Sequence, residues 1–278
     1  HTPFIPDATV YTDTIKQTER NFGGLWGVLG GAGVVFFAFI GFDAVSTVAQ
    51  ETKKPERDMP IGILGSLLIC TVLYILFSWV LTGIAPYEDF RDPTKGKEAS
   101  VAYAIETYMP GYGALSKFIT VAILFGFSSV ILVMLLGQSR VFYSMSRDGL
   151  VPKIFSDLHP VHQTPSKSNW IFFVFVALFA AFIPDSVVGD MTSIGTLFAF
   201  ALVSIGIIIM RRSDPDAPRP FRTPLVPLVP ILAVVVCGAM IAGLGKENWA
   251  RLGVWLAIGL VIYFAYGVRH SRVQLNRQ

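Results

Sequence analysis

Gly41 and Asp43 stand deep inside an apolar run of this chain, and a pair of that kind allows a helix break that could hold a charged group within hydrocarbon. An acid at that depth costs roughly 2.5–3.5 kcal/mol on insertion scales, so it requires a polar partner or a wet cavity. Glycine accepts dihedrals that other residues avoid, so a helix can unwind at Ile40-Gly41 and leave the carbonyls ending its first half without intrahelical partners. The carbonyls of Phe37, Ala38 and Ile40 then turn partial negative charge into the break, which suits an ammonium group. Asp43 can cap the second half by accepting from N–H groups near Ser46, or can itself serve proton or substrate chemistry. Irregular backbone persists at this depth only where it lines a cavity or is buried in protein.

The same glycines also fit an unbroken helix, with Gly27 and Gly31 at small-xxx-small spacing for close packing. Ser128 and Ser129, in Gly126-Phe127-Ser128-Ser129, either face a cavity or bond their own backbone. No Ser/His/Asp, Cys/His or metal-ligand cluster falls within the apolar runs, so no enzyme, metal or cofactor is expected. Cys70 and Cys237 lie in different runs and read as small apolar packing groups. His159 and His162 share a Pro-containing loop without acidic or Cys companions and read as ordinary loop residues.

The elements that position these groups are apolar helices. Residues of the AVILMFWYC class make up 53% of 278 positions, charged residues only 15%, and the mean hydropathy is +0.59. Soluble domains carry about 25% charge. About seven runs are long enough to be membrane spans: Leu25–Val48, Ile61–Ile84, Leu115–Ser139, Asn169–Ile183, Met191–Met210, Leu228–Leu244 and Trp249–Val268. The fold class is therefore an all-α membrane protein with the lipid bilayer as solvent. The third run is long enough to project beyond the membrane, with Arg140, Arg147 and then Gly149 as its stop. Asp58 and Pro60 mark the start of the second helix. A short helix is expected at Ala99–Tyr108, inside a long connection, residues 85–114, that serves as a lid or a passive cap.

Most of the 22 Lys and Arg fall on one side of the alternating loops. Lys53, Lys54, Arg57, Arg147, Arg211, Arg212, Arg269 and Arg272 are examples. Arg91, Lys95 and Lys97 lie opposite, among acids such as Glu88 and Glu98. The basic side is cytoplasmic, which puts the C-terminus inside and the N-terminus outside. Residues 1–24 hold no apolar signal core, and an external start needs something to export it, so upstream helices are expected. The net charge of +3 belongs to cytoplasmic loops and gives no case for nucleic acid.

The run Phe36-Phe37-Ala38-Phe39-Ile40-Gly41-Phe42-Asp43-Ala44-Val45-Ser46-Thr47, followed by Lys54-Pro55-Glu56-Arg57-Asp58-Met59-Pro60, resembles the sixth helix and following loop of the cationic amino acid transporter family. That family belongs to the amino acid, polyamine and organocation superfamily. Gly137 to Gly149 is similar to the end of the family's eighth helix. Arg219-Pro220-Phe221-Arg222-Thr223-Pro224 is similar to the approach to its eleventh.

The resemblance implies a twelve-helix permease with two inverted five-helix repeats, the fold known as LeuT-type. On this basis residues 1–24 are an external segment, 25–212 the second repeat, helices six to ten, and 213–278 the last two helices with a cytoplasmic tail. It implies that carbonyls of Phe37, Ala38 and Ile40 hold the substrate's amino group, and that Phe42 helps close the site outward. The substrate carboxylate and a proton-coupling lysine are held by helices that precede these residues in the family. Gln50-Glu51 departs from the family's paired glutamates. The expected activity is secondary active amino acid transport across the cell membrane by alternating access, with an amino acid and protons as ligands. The five earlier helices are the expected structural partner, without which this chain is not competent alone. A seven-helix receptor is the rival, and it predicts an uninterrupted first helix.

Overall fold

The computed structural model describes residues 7–13, 18–87, 89, 100–161, 163–183, 185–219 and 221–271. His162, Pro220, Arg272, and Glu88, Arg91, Lys95, Lys97 and Glu98 of the long connection lie outside the described residues.

The chain opens with an antiparallel hairpin, β1 (Thr9–Asp13) and β2 (Thr18–Phe22), with Thr9 opposite Phe22 and Asp13 opposite Thr18. The sequence reading had only an external segment here. The β-branched and aromatic Thr9-Val10-Tyr11-Thr12 is the local signal that favours a strand.

Helices follow: α1 (Gly24–Val35), α2 (Pro55–Ile84), α3 (Ser100–Tyr108), α4 (Gly113–Arg147), α5 (Ser166–Phe182), α6 (Asp185–Ser213), α7 (Leu228–Gly243) and α8 (Lys246–Ile262). Two 3₁₀ segments, Phe36–Phe39 and Asp43–Glu51, separate α1 from α2. A π turn, Tyr263–Gly267, carries α8 into a last helical turn, Val268–His270. Four helices are long and apolar enough to cross a membrane: Pro55–Ile84, Gly113–Arg147, Val188–Ser213 and Lys246–His270. Shorter apolar helices occupy Gly24–Phe39, Ser166–Phe182 and Leu228–Gly243, so an apolar helix lies in every expected run, although in Leu25–Val48 it ends at Phe39.

α2 begins three residues before the expected Asp58. Pro55 is its first residue, where a missing N–H costs nothing, and Pro60 lies inside, at the expense of one bond to the Glu56 carbonyl. α4 has 35 residues, about 52 Å at 1.5 Å per residue, against about 30 Å of hydrocarbon. It stops where expected: Gly149 takes φ +81, its N–H donates to Ser146 at 3.1 Å, and Leu150 N–H donates to Met145 at 2.9 Å. The short helix near Ala99–Tyr108 is α3.

Two compact units emerge. The first comprises His1–Ile40, Lys54–Arg57 and Gln138–Gln278. Its core joins Ile194 and Leu197 of α6, Cys237 and Ile241 of α7, and Leu244 and Leu252. Phe36 packs against this core and meets Phe200 edge to face, with ring centroids 5.9 Å apart. α1 lies close on α7 because both present glycine. A Cβ at Gly30 would come 3.0 Å from the Gly243 carbonyl oxygen, and one at Gly33 would come 2.9 Å from Leu244 Cγ. Close packing thus uses Gly30 and Gly33, whereas Gly31 meets nothing within 4 Å.

The second unit comprises Gly41–Lys53 and Asp58–Gly137. Ala85, Ala104, Ile105 and Ser116 are buried there, Ser116 Oγ donates to Glu106 at 2.8 Å, and the Tyr108 hydroxyl donates to Asp89. Elsewhere apolar side chains face outward: Leu68 is 67% exposed, Trp79 74% and Phe125 74%. Surfaces of this kind are stable against lipid tails, which are as apolar as leucine. The chain is a multi-pass membrane protein.

Candidate binding site at the helix break

The first apolar helix is interrupted where glycine and acid come together. Four residues, Phe36–Phe39, tighten into a 3₁₀ turn, and Ile40 then leaves the helix with φ −63 and ψ 127. Gly41 follows at φ +125, a conformation essentially reserved for glycine. The chain resumes as a 3₁₀ segment at Asp43.

The bonds around the break fix which groups remain available. Ile40 N–H donates to the Phe37 carbonyl at 3.2 Å, and Ala44 N–H donates to the Gly41 carbonyl at 3.1 Å. Gly41 N–H donates to Asp43 Oδ1 at 3.2 Å. Of the expected carbonyls, Phe37's is therefore partly engaged, although its second lone pair stays open. The backbone or side chain of Ala38 has a partner as well. The Ile40 carbonyl accepts no bond from the described residues.

Asp43 departs from its expected geometry. Its carboxylate reaches back to the Gly41 amide, while the Ser46 hydroxyl donates to the Asp43 main-chain carbonyl at 2.6 Å. The acid thus closes the turn from within, because ψ at Ile40 swings the Gly41 N–H toward it. Ile40, Gly41, Phe42 and Asp43 are half-buried, and Phe37 and Ala38 are exposed.

α4 supplies the neighbours of the resumed segment. A Cβ on Gly41 would lie 2.8 Å from Met134 Cε, and one on Gly137 would lie 3.8 Å from both Ala44 Cβ and Thr47 Oγ1. Sequence reasoning passed over Met134 and Gly137, whose type alone gives no sign of the contact. Ser128 and Ser129 sit further back on α4, about 9 Å along the axis from Met134 for Ser128, and both are exposed. Ser128 Oγ donates to the Leu124 carbonyl at 2.9 Å, so its proton is spent on its own helix.

No group of three or more His, Cys, Asp or Glu side chains able to hold a metal occurs among the described residues. Cys70 and Cys237 are free thiols. His159 Nδ1 accepts from the Val161 amide at 3.2 Å, a local loop contact. Among the described residues, the break therefore carries a carbonyl oxygen with unspent lone pairs at Ile40.

Residues 3–265 match the family model described as amino acid permease. The branched-chain amino acid permease BcaP of Bacillus subtilis is 44% identical over 270 residues, which cover 97% of this chain and 57% of that protein. The methylthioribose transporter of Bacillus subtilis is 38% identical over 250 residues, 89% of this chain and 52% of that protein. The vacuolar cationic amino acid transporter 4 of Arabidopsis thaliana is 38% identical over 195 residues, 69% of this chain and 31% of that protein. The chain spans about half the length of the curated relatives it matches most fully. These are transporters and not enzymes, and with the apolar helices they settle the family: the chain belongs to the amino acid permease family, within the amino acid, polyamine and organocation superfamily.

Proposed function

We propose that this chain forms one half of the substrate site in a secondary active amino acid transporter of the cell membrane, working by alternating access. The observation that carries this is the Ile40 carbonyl, left unclaimed by the turn at Gly41. An ammonium group is the natural ligand of such an oxygen, and the Phe37 carbonyl offers a second contact. Phe42 closes the site toward the outside. The α-carboxylate is held by helices that precede these residues in the relatives, and the coupling proton is carried there too.

The seven apolar helices correspond to helices six to twelve of a LeuT-type permease, with the C-terminus in the cytoplasm. Alternating access needs a joint, and the non-helical backbone at Ile40 and Gly41 supports one there. The receptor alternative needs an uninterrupted first helix and finds no relative among those described above.

The substrate is an amino acid with an apolar side chain. Met134 stands against Gly41, and the carboxylate of Asp43, the acid of the break, is already engaged by the Gly41 amide. The relative named as a branched-chain amino acid permease, BcaP of Bacillus subtilis, points the same way. Uptake of labelled leucine by the intact transporter, in competition with each of the other amino acids, tests both statements. Apolar amino acids compete best if the proposal holds. Transport confined to arginine and lysine would defeat the substrate class, and absence of amino acid uptake would defeat the function.

A further inference from the structure

We propose that a cleft between α5, α6 and α8 binds one acyl chain of an anionic phospholipid, with the lipid phosphate on Arg251. The cleft measures about 320 Å³, room for about ten groups the size of water. Phe175 and Phe179 of α5, Met191 of α6 and Trp255 of α8 form its walls. Thr192 and Thr196 also line it, but their hydroxyls donate to the Val188 and Thr192 carbonyls at 2.8 Å each. Ordered water needs two to four polar partners, and these walls are poor in them. The surrounding solvent is hydrocarbon, so an acyl chain is the available filler.

Arg251 is the charged residue among the described lining residues, and its position is built by a buried relay. Asn248, 3% exposed, donates to the Leu244 carbonyl at 2.8 Å and to the Asp190 carboxylate at 3.5 Å. The side-chain oxygen of Asn248 in turn accepts from Arg251 Nη1 at 2.7 Å. A guanidinium carries five N–H donors, so most stay available for a phosphate, which it can grip in bidentate fashion. Glu247 competes weakly: its Oε2 is 3.8 Å from Nη2 and its side chain is 61% exposed. Lys246, exposed at the start of the same helix, adds a second cation.

The depth also fits a headgroup. From Leu252 to Ile262 α8 carries no charge, so Arg251 is the last charged residue before the hydrocarbon. Trp249 and Trp255 flank that boundary, where tryptophan accumulates in membrane proteins. A zwitterionic lipid brings the same phosphate together with a quaternary ammonium, which Arg251 and Lys246 repel, so the lipid with net negative charge is favoured.

Phosphatidylcholine vesicles holding the protein and a small fraction of phosphatidylglycerol brominated on its acyl chains provide the test, with brominated phosphatidylcholine as the comparison. The readout is quenching of Trp255 fluorescence, obtained by difference from a Trp255→Phe variant. Brominated phosphatidylglycerol should quench at a severalfold lower mole fraction than brominated phosphatidylcholine, and Arg251→Gln should erase that difference. Gly195, which lines the cleft with nothing within 4 Å of its Cβ direction, allows a second variant. Gly195→Leu should erase the advantage of brominated phosphatidylglycerol and leave only the quenching that both lipids share at the exposed face of Trp255. Equal quenching by the two lipids in the unaltered protein overturns the headgroup contact. No quenching of Trp255 overturns the site, the cleft then being covered by protein.

Discussion

The Gly41 amide donates to the Asp43 carboxylate across 3.2 Å, so the acid in the first apolar helix is committed to the turn that breaks it. The backbone and the acid are one device. A bond to a charged acceptor is worth roughly 1.5–3 kcal/mol, which is enough to hold a short irregular segment in one conformation.

Asp43→Ala should therefore reduce uptake about tenfold or more through loss of the turn, since 1.4 kcal/mol is a factor of ten. Asp43→Asn keeps the acceptor oxygen and should lose much less. Initial rates over a range of substrate concentrations measure both variants. Equal loss in the two would instead make the negative charge itself the requirement.

Gly41→Ala places a Cβ on a residue at φ +125, where a side chain costs on the order of 1–3 kcal/mol. The neighbouring Met134 methyl is the flexible end of a side chain and can move aside. The backbone strain remains, so Gly41→Ala should depress the maximal uptake rate and Gly41→Leu should abolish it, with surface expression of both unchanged. Uptake by Gly41→Leu at the unaltered rate contradicts the break.

A Cβ on Gly243 would lie 2.7 Å from Gly30 N, which is backbone and cannot rotate away. Overpacking of this kind costs typically 1–3 kcal/mol, so Gly243→Ala should lower the melting temperature in detergent by several degrees. Gly31→Ala, at a helical position with open space, should leave it level or raise it slightly. The reverse order in a thermal-shift assay would mean that α1 and α7 do not meet at these glycines.

Gly149 is held even more tightly, because a Cβ there would collide with the His270 carbonyl oxygen. Gly149→Ala should displace the end of the last helix, where His270 Nδ1 lies 3.0 Å from the Tyr266 carbonyl. Limited proteolysis measures the outcome as faster cleavage after Arg269. Gly253→Ala, which has open space, is the control expected to cleave at the original rate.

Ser128→Ala removes a hydroxyl whose proton is bound to its own helix at the Leu124 carbonyl, so uptake should change less than about twofold. A rise of tenfold in KM would show that this serine faces the substrate.

Much of the fold could be read from the chain because lipid imposes simple constraints. Each apolar run after the first became a helix, and Gly149 ended α4 as its type predicts. The break was not settled by residue types, because the same glycines fit an unbroken helix; the resemblance of Phe36 to Thr47 to the family's sixth helix decided for it. The partner of Asp43 was not legible, because it depends on ψ at Ile40, which no residue pattern encodes. Nor was the packing face of α1. A helix that is apolar all round has no polar stripe to set its rotation, so the sequence could not distinguish Gly30 and Gly33 from Gly27 and Gly31. The pairing of Asp190 with Asn248 spans 58 residues and becomes visible only once α6 and α8 are placed in space.

The most direct measurement is a structure of the intact transporter with its amino acid bound. The substrate's ammonium nitrogen should lie about 2.7–3.2 Å from the Ile40 carbonyl oxygen, with Gly41 still at positive φ. An ammonium group held elsewhere, or continuous helical bonding through Ile40 and Gly41, contradicts the account.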